Sequence, residues 1–122
     1  MSFIEQQLGS YQAKEVAAEA NYDLTIKDTK HKGNNILVII QIDEPGNWEN
    51  ILHNVSLVTS EDDEEKANFK LGFQRAFLDA FNIPYDDNGF DLGDFPGASA
   101  SQVPVVQHTY EGRLQNKLQL NM

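Results

Sequence analysis

The chain contains no cysteine. Disulfides and thiolate zinc sites are therefore excluded, and a reducing compartment fits without being established. Basic residues are scarce, with 9 Lys+Arg against 19 Asp+Glu and a formal net charge of −10. Averaged over a surface, that charge repels nucleic acid and anionic lipid. Binding to a polyanion would have to come from a local basic patch and from base stacking, and it would weaken steeply with salt. No apolar run approaches the roughly 20 residues that span a bilayer, so no membrane partner is expected. The opening "MSFIEQQLGS" lacks the basic start and apolar centre of a secretory signal, and the expected compartment is the cytoplasm. There is no Walker loop, nucleophile elbow or His-Glu-x-x-His motif, and His31, His53 and His108 are widely spaced. The expectation is a protein that is not an enzyme and takes no cofactor.

What is present is an ordinary globular composition: 122 residues, 40% hydrophobic and 23% charged. That is enough for one domain with a modest core. Residues 1–20 have helix-forming composition, with Ile4, Leu8 and Tyr11 at helical spacing and Gly9-Ser10 interrupting them. They read as an N-terminal arm or short helix preceding a domain over 21–122. "YDLTIKD" alternates, placing Tyr22, Leu24 and Ile26 on one face. "NILVIIQI" is a continuous β-branched run, as in a strand covered on both faces. "DEPGNWEN" is a loop, and "ILHNVSLV", 51–58, is a third strand.

A helix follows, with Ser60 and Asp63 as a capping box and the acidic run 61–65 in its first turn, where negative charge meets the helix dipole. Phe69, Phe73, Phe77 and Phe81 recur every four residues and read as the apolar face on which a sheet packs. Pro84 is expected to stop the helix. Residues 85–99 form an acidic loop. "SQVPVVQHTY" and "RLQNKLQL" are the last two strands, with Pro104 at an edge or bulge, Glu111-Gly112 as the turn, and Leu114, Leu118 and Leu120 inward.

The resulting order is β-β-β-α-β-β, a mainly β chain with one central helix. A helix between strands three and four is the arrangement of an OB-fold-like small barrel, in which it closes one end. In that fold the loop between strands one and two and the loop between strands four and five flank one ligand face. Here the first carries Lys27, Lys30, His31 and Lys32, and the second carries His108, Tyr110, Arg113 and Lys117. Five of the nine basic residues would gather at one groove, with Tyr110 and Trp48 offering π-faces to bases. The plain alternative is a pair of solvated hairpin tips, where lysine is common because it resists edge-to-edge pairing.

The acidic loop invites a calcium reading. Aligning Gly89 with the EF-hand glycine puts Pro84 at the first ligand and Phe95 at the bidentate one, which fails. Asp86, Asp87, Asp91 and Asp94 lack a Lys or His partner nearby for nuclease chemistry.

With these segments in view, the chain resembles a phage and prophage family linked to single-stranded DNA binding and long catalogued as a domain of unknown function. The resemblance covers roughly residues 20–120. It rests on "NYDLTIKDTKHKGNN", "ILVIIQID", "VTSEDDEEKANFKLGFQRAFLDAFNI" and "GFDLGDFPGASASQVPVVQHTYEGRLQNKLQL". It implies an OB-like fold and a role beside phage or host replication and recombination proteins, in the host cytoplasm. Many single-strand-binding proteins end in an acidic tail, whereas this sequence ends "KLQLNM". The alternative function is an acidic protein-binding module, an inhibitor or DNA mimic acting on a host protein. Self-association through exposed edge strands is a further expectation.

Overall fold

The computed structural model describes residues 2–120. The chain is mainly β with one α-helix. Five strands form one antiparallel sheet: β1 (Ala20–Lys32), β2 (Asn35–Ile42), β3 (Ile51–Ser56), β6 (Ser99–Tyr110) and β7 (Arg113–Leu118), in the order β3-β2-β1-β6-β7. The helix α1 (Glu64–Ala80) lies between β3 and β6 in sequence, followed by a two-stranded ribbon of β4 (Tyr85–Asp86) and β5 (Gly89–Phe90).

The sheet curls until its edge strands β3 and β7 face one another. Successive antiparallel pairings make these two edges run in the same direction. No ladder joins them, so the barrel is not closed. The order nevertheless matches a partly open, five-stranded OB-type barrel.

Alternation decides which side of each strand is buried. Ile36, Val38, Ile40 and Ile42 point into the core while Leu37 and Ile39 stay half-buried on the outer face. Leu24 and Ile26 from β1, Ile51 and Val55 from β3, and Val103 and Val105 from β6 complete the β wall. The β1 ladder continues across bulges on both flanks, between Ile26 and Asp28 against β2 and between Tyr22 and Leu24 against β6. Bulges sharpen strand twist and bend a sheet toward closure. Pro104 lies next to the second bulge, in a central strand rather than at an edge, and Gln102 beside it has φ 51°.

The helix differs from expectation at both ends. Its N-cap is Asp63, whose carboxylate accepts the Lys66 backbone N–H at 2.7 Å; Thr59 and Ser60 lie upstream of the cap. Of the acidic run, only Glu64 and Glu65 stand in the first turn. At the other end Asn82 takes φ 53°, and the Ile83 N–H donates to the Leu78 carbonyl at 2.9 Å. This left-handed Asn closure ends the helix before Pro84 is reached.

The third strand stops at Ser56, two residues short of the expected end. Leu114 is exposed at the hairpin tip, and the inward position after it belongs to Asn116. Residues 85–99 are not a free loop, because Phe95 is fully buried and packs on Phe77 at 5.8 Å between ring centroids. No helix among the described residues is long and apolar enough to cross a membrane.

Candidate nucleic-acid interface

Register places the two basic hairpins. Residues directly opposite one another in neighbouring strands present their side chains on the same face. Lys30 pairs with Leu37, which pairs with Asn54; Lys32 pairs with Asn35, which pairs with Ser56. Lys30 and Lys32 therefore stand at one margin of an outer face that crosses β2 and ends at β3, about 10 Å away at two strand spacings. The turn at their end has two central residues, Gly33 and Asn34, and Gly33 adopts φ 56°. That is the positive first position of a tight hairpin turn, which glycine occupies without strain.

The other hairpin follows the same rule. Tyr110 pairs with Arg113, His108 with Gln115 and Val106 with Lys117, so all six share its outer face. Glu111 at φ 51° and Gly112 at φ 77° make the turn. Between the two hairpins, over the open β3–β7 seam, lies a groove of about 900 Å³. Leu37, Leu52 and Asn54 line one wall, His108, Tyr110 and Lys117 the other, and Phe69 and Phe73 of α1 one end. Phe69 is 57% exposed and Phe73 44%, with ring centroids 4.7 Å apart in edge-to-face contact.

The electrostatics of the groove are set by a few groups. Lys117 makes no ion pair among the described residues. Lys70 is engaged: its ammonium lies 2.9 Å from Asp62 and also donates to the Leu57 carbonyl. The hydrogen bond from Lys70, helped by the Thr59 N–H, holds the Asp62 carboxyl below its ordinary value. His53 points inward from β3 and stacks on Phe77 at 4.9 Å, with planes 7° apart. Burial, reinforced by the nearby Lys117 charge, lowers its pKa to about 4. At neutral pH the ring carries no charge, and Lys117 is the cation facing it from β7.

The seven residues expected to bind nucleic acid are thus distributed unequally. Tyr110 and Lys117 line the groove, and Lys30 and Lys32 border its outer face. Arg113 sits on the hairpin face but pairs with Glu49 at 3.2 Å across the seam. Lys27 is the bulge residue of β1 and leaves the row; it lines a separate depression with Asp43, Glu44 and Trp48. Trp48 is half-buried against the core, and a Cβ added at Gly46 would come within 2.6 Å of its indole. The Gly46 backbone therefore lies on the ring. The indole N–H is buried without a partner among the described residues. Placed between the core and the Gly46 backbone, Trp48 offers its face poorly to a base.

Phe69, Phe73, Leu52 and His53 join the site without a sequence signal for it. The phenylalanine period marks a helix face, and nothing local in the sequence shows that the seam leaves half of that face uncovered. The acidic carboxylates have local duties: Asp86 accepts the Asn88 and Gly89 N–H groups, and Asp91 accepts that of Gly93. Among the described residues no three metal-ligating side chains cluster. In comparison with known proteins, no family model matches the chain and no curated protein matches it.

Proposed function

We propose that the protein binds single-stranded DNA without catalysis and with little sequence preference, in the cytoplasm and beside phage or host replication and recombination proteins. The observation that carries this reading is the meeting of Tyr110, Lys117, Phe69 and Phe73 in one groove whose outer face is bordered by Lys30 and Lys32. Lysines neutralise phosphates, and aromatic faces hold bases at about 1–3 kcal/mol each without reading their edges. A groove rather than a flat basic surface suits a chain whose net charge is −10, because attraction must be local to overcome the average field. The resemblance to the phage single-strand-binding family points the same way. Arg113 reaches a phosphate only by leaving Glu49, an exchange that is cheap for an exposed pair worth roughly 0–1 kcal/mol.

Fluorescence anisotropy with a labelled oligo-dT, at low and at physiological salt and with a duplex control, tests the proposal. Single-strand binding that weakens with salt is the expected result. Replacing Lys30 and Lys32 by glutamate should weaken binding and flatten its salt dependence. No binding even at low salt would overturn the reading. The charge balance would then favour a protein-binding module, with Glu61, Glu64, Glu65 and Asp87 as its exposed acids.

A further inference from the structure

The most exposed large apolar side chains lie in the N-terminal arm: Phe3 at 91%, Ile4 at 75%, Leu8 at 81% and Tyr11 at 80%. The arm is anchored only from residue 12 onward. The Asn47 side chain donates to the Gln12 and Ala13 carbonyls, and the Glu15 N–H donates to the Asn47 carbonyl. Before that point every hydrogen bond of residues 2–11 stays within the arm, the longest reaching from Leu8 to Tyr11 in a 3-10 turn. The arm thus leaves the body and does not lie in the chain's own groove.

The body has a matching uncovered surface. Phe69 and Phe73 are exposed at the helix end of the groove, and Leu52 is 56% exposed on its β wall. The charges also match. Glu5 is the one ionisable side chain in residues 2–10, and the groove's lip offers Lys66 and Lys117. Lys66 reaches Asp62 only at 3.9 Å and keeps 66% of its side chain exposed.

We propose that two copies of this chain exchange N-terminal arms, Phe3 and Ile4 of each seating against Phe69 and Phe73 of the other, with Glu5 beside Lys66. Reciprocal exchange buries both arms and covers the helix end of both grooves under one two-fold axis, which is why it closes as a dimer rather than growing into a filament. The inference does not rest on the nucleic-acid reading, because its readout is hydrodynamic; the two share Phe69 and Phe73, so a seated arm would compete with a base for the helix end of the groove.

The cysteine-free sequence makes the test clean. Ser2→Cys and Lys66→Cys, made in separate chains and mixed under mild oxidation, should form a disulfide-linked heterodimer well above the background from Ser2→Cys mixed with Asp87→Cys. With both cysteines in one chain, oxidation should again yield dimer. In sedimentation velocity across a concentration series, the full chain should dimerise and the Phe3→Ser/Ile4→Ser variant should dimerise at least about tenfold more weakly. A monomer throughout the series would overturn the proposal. So would a disulfide that closes within the doubly substituted monomer, because the arm would then occupy its own groove.

Discussion

The two ends of α1 carry the same residue at the same spacing and meet opposite environments. Phe77 and Phe81 are 0% and 1% exposed, their rings tilted against each other at 4.9 Å between centroids and backed by Phe95. Phe69 and Phe73, two turns earlier, are 57% and 44% exposed. The helix does not change character between them; the cover does. Its C-terminal half is covered by His53, Phe81 and Phe95, and its N-terminal half borders the groove at the open β3–β7 seam. A hydrophobic period therefore announces a face that wants burial, and the sheet's closure determines how much of it is buried.

The largest effect should come from deepening that contrast. Phe77→Ala removes a ring from the centre of the aromatic cluster and should cost about 3–5 kcal/mol, read as a lowered denaturation midpoint. Phe73→Ala, the same change one turn earlier, should cost under about 1 kcal/mol because its ring is already half in water. It should instead weaken oligo-dT binding by an amount of the order of one lost stack. The comparison applies to the monomer at low concentration; equal destabilisation there would show that the seam is covered within one chain.

Next is His53, which touches both environments, stacking on Phe77 while lining the groove. Its folded pKa is about 4, below the ordinary 6.5. Between those values the unfolded chain takes a proton that the folded chain refuses. Stability should therefore be full above pH 6.5 and fall as pH drops toward 4, by about 3 kcal/mol from this group. Below pH 4 both states are protonated and this contribution stops changing. His53→Phe keeps the stack and should remove that part of the slope in pH-dependent urea titrations. An unchanged slope would assign it to the carboxylates.

Asn116 gives a smaller effect on the seam side. Its amide donates to the Ala17 carbonyl and accepts the Ala17 N–H, both at 2.8 Å, tying the root of the arm to β7. Asn116→Ala leaves the buried Ala17 N–H unpaired, while the Ala17 carbonyl keeps the Gln107 amide at 3.0 Å, and should cost about 1–3 kcal/mol, with faster amide exchange at Ala17 as the local signature. Smallest in stability is Lys30→Glu with Lys32→Glu. These exposed positions should leave unfolding within about 0.5 kcal/mol of the parent. Their effect should appear only in the salt dependence of binding, with the slope reduced by about one for each phosphate that is no longer neutralised.

Much of this is legible in the sequence. The strands β1, β2, β6 and β7, the single helix, both tight turns and the order of elements follow from alternation, β-branching, helical period and turn residues, all of which act within a few positions. The shared outer faces of the two basic hairpins also follow from pairing across two-residue turns. At two of the places that depart from the sequence expectation, the deciding partner is remote along the chain. Alternation points Leu114 inward, but it stands where the hairpin outruns its cover, while Asn116 is the inward residue because Ala17 presents it with backbone to bind. Trp48 reads as exposed or half-exposed and is found half-buried, with the Gly46 backbone on its ring. Lys27 reads as part of the basic row, yet the β1 bulge turns it away.

The sequence by itself determined which segments are strands and helix, where the chain turns, and that any attraction for a polyanion must be local on a chain of net charge −10. These are consequences of near-neighbour sterics and of summed charge. Only the tertiary structure decided that the barrel stays open between β3 and β7, that half of the phenylalanine row therefore faces a groove, and that Tyr110 and Lys117 share it. Closure depends on how far twist and bulges carry two edges toward each other across the whole sheet, and no window of sequence contains that sum.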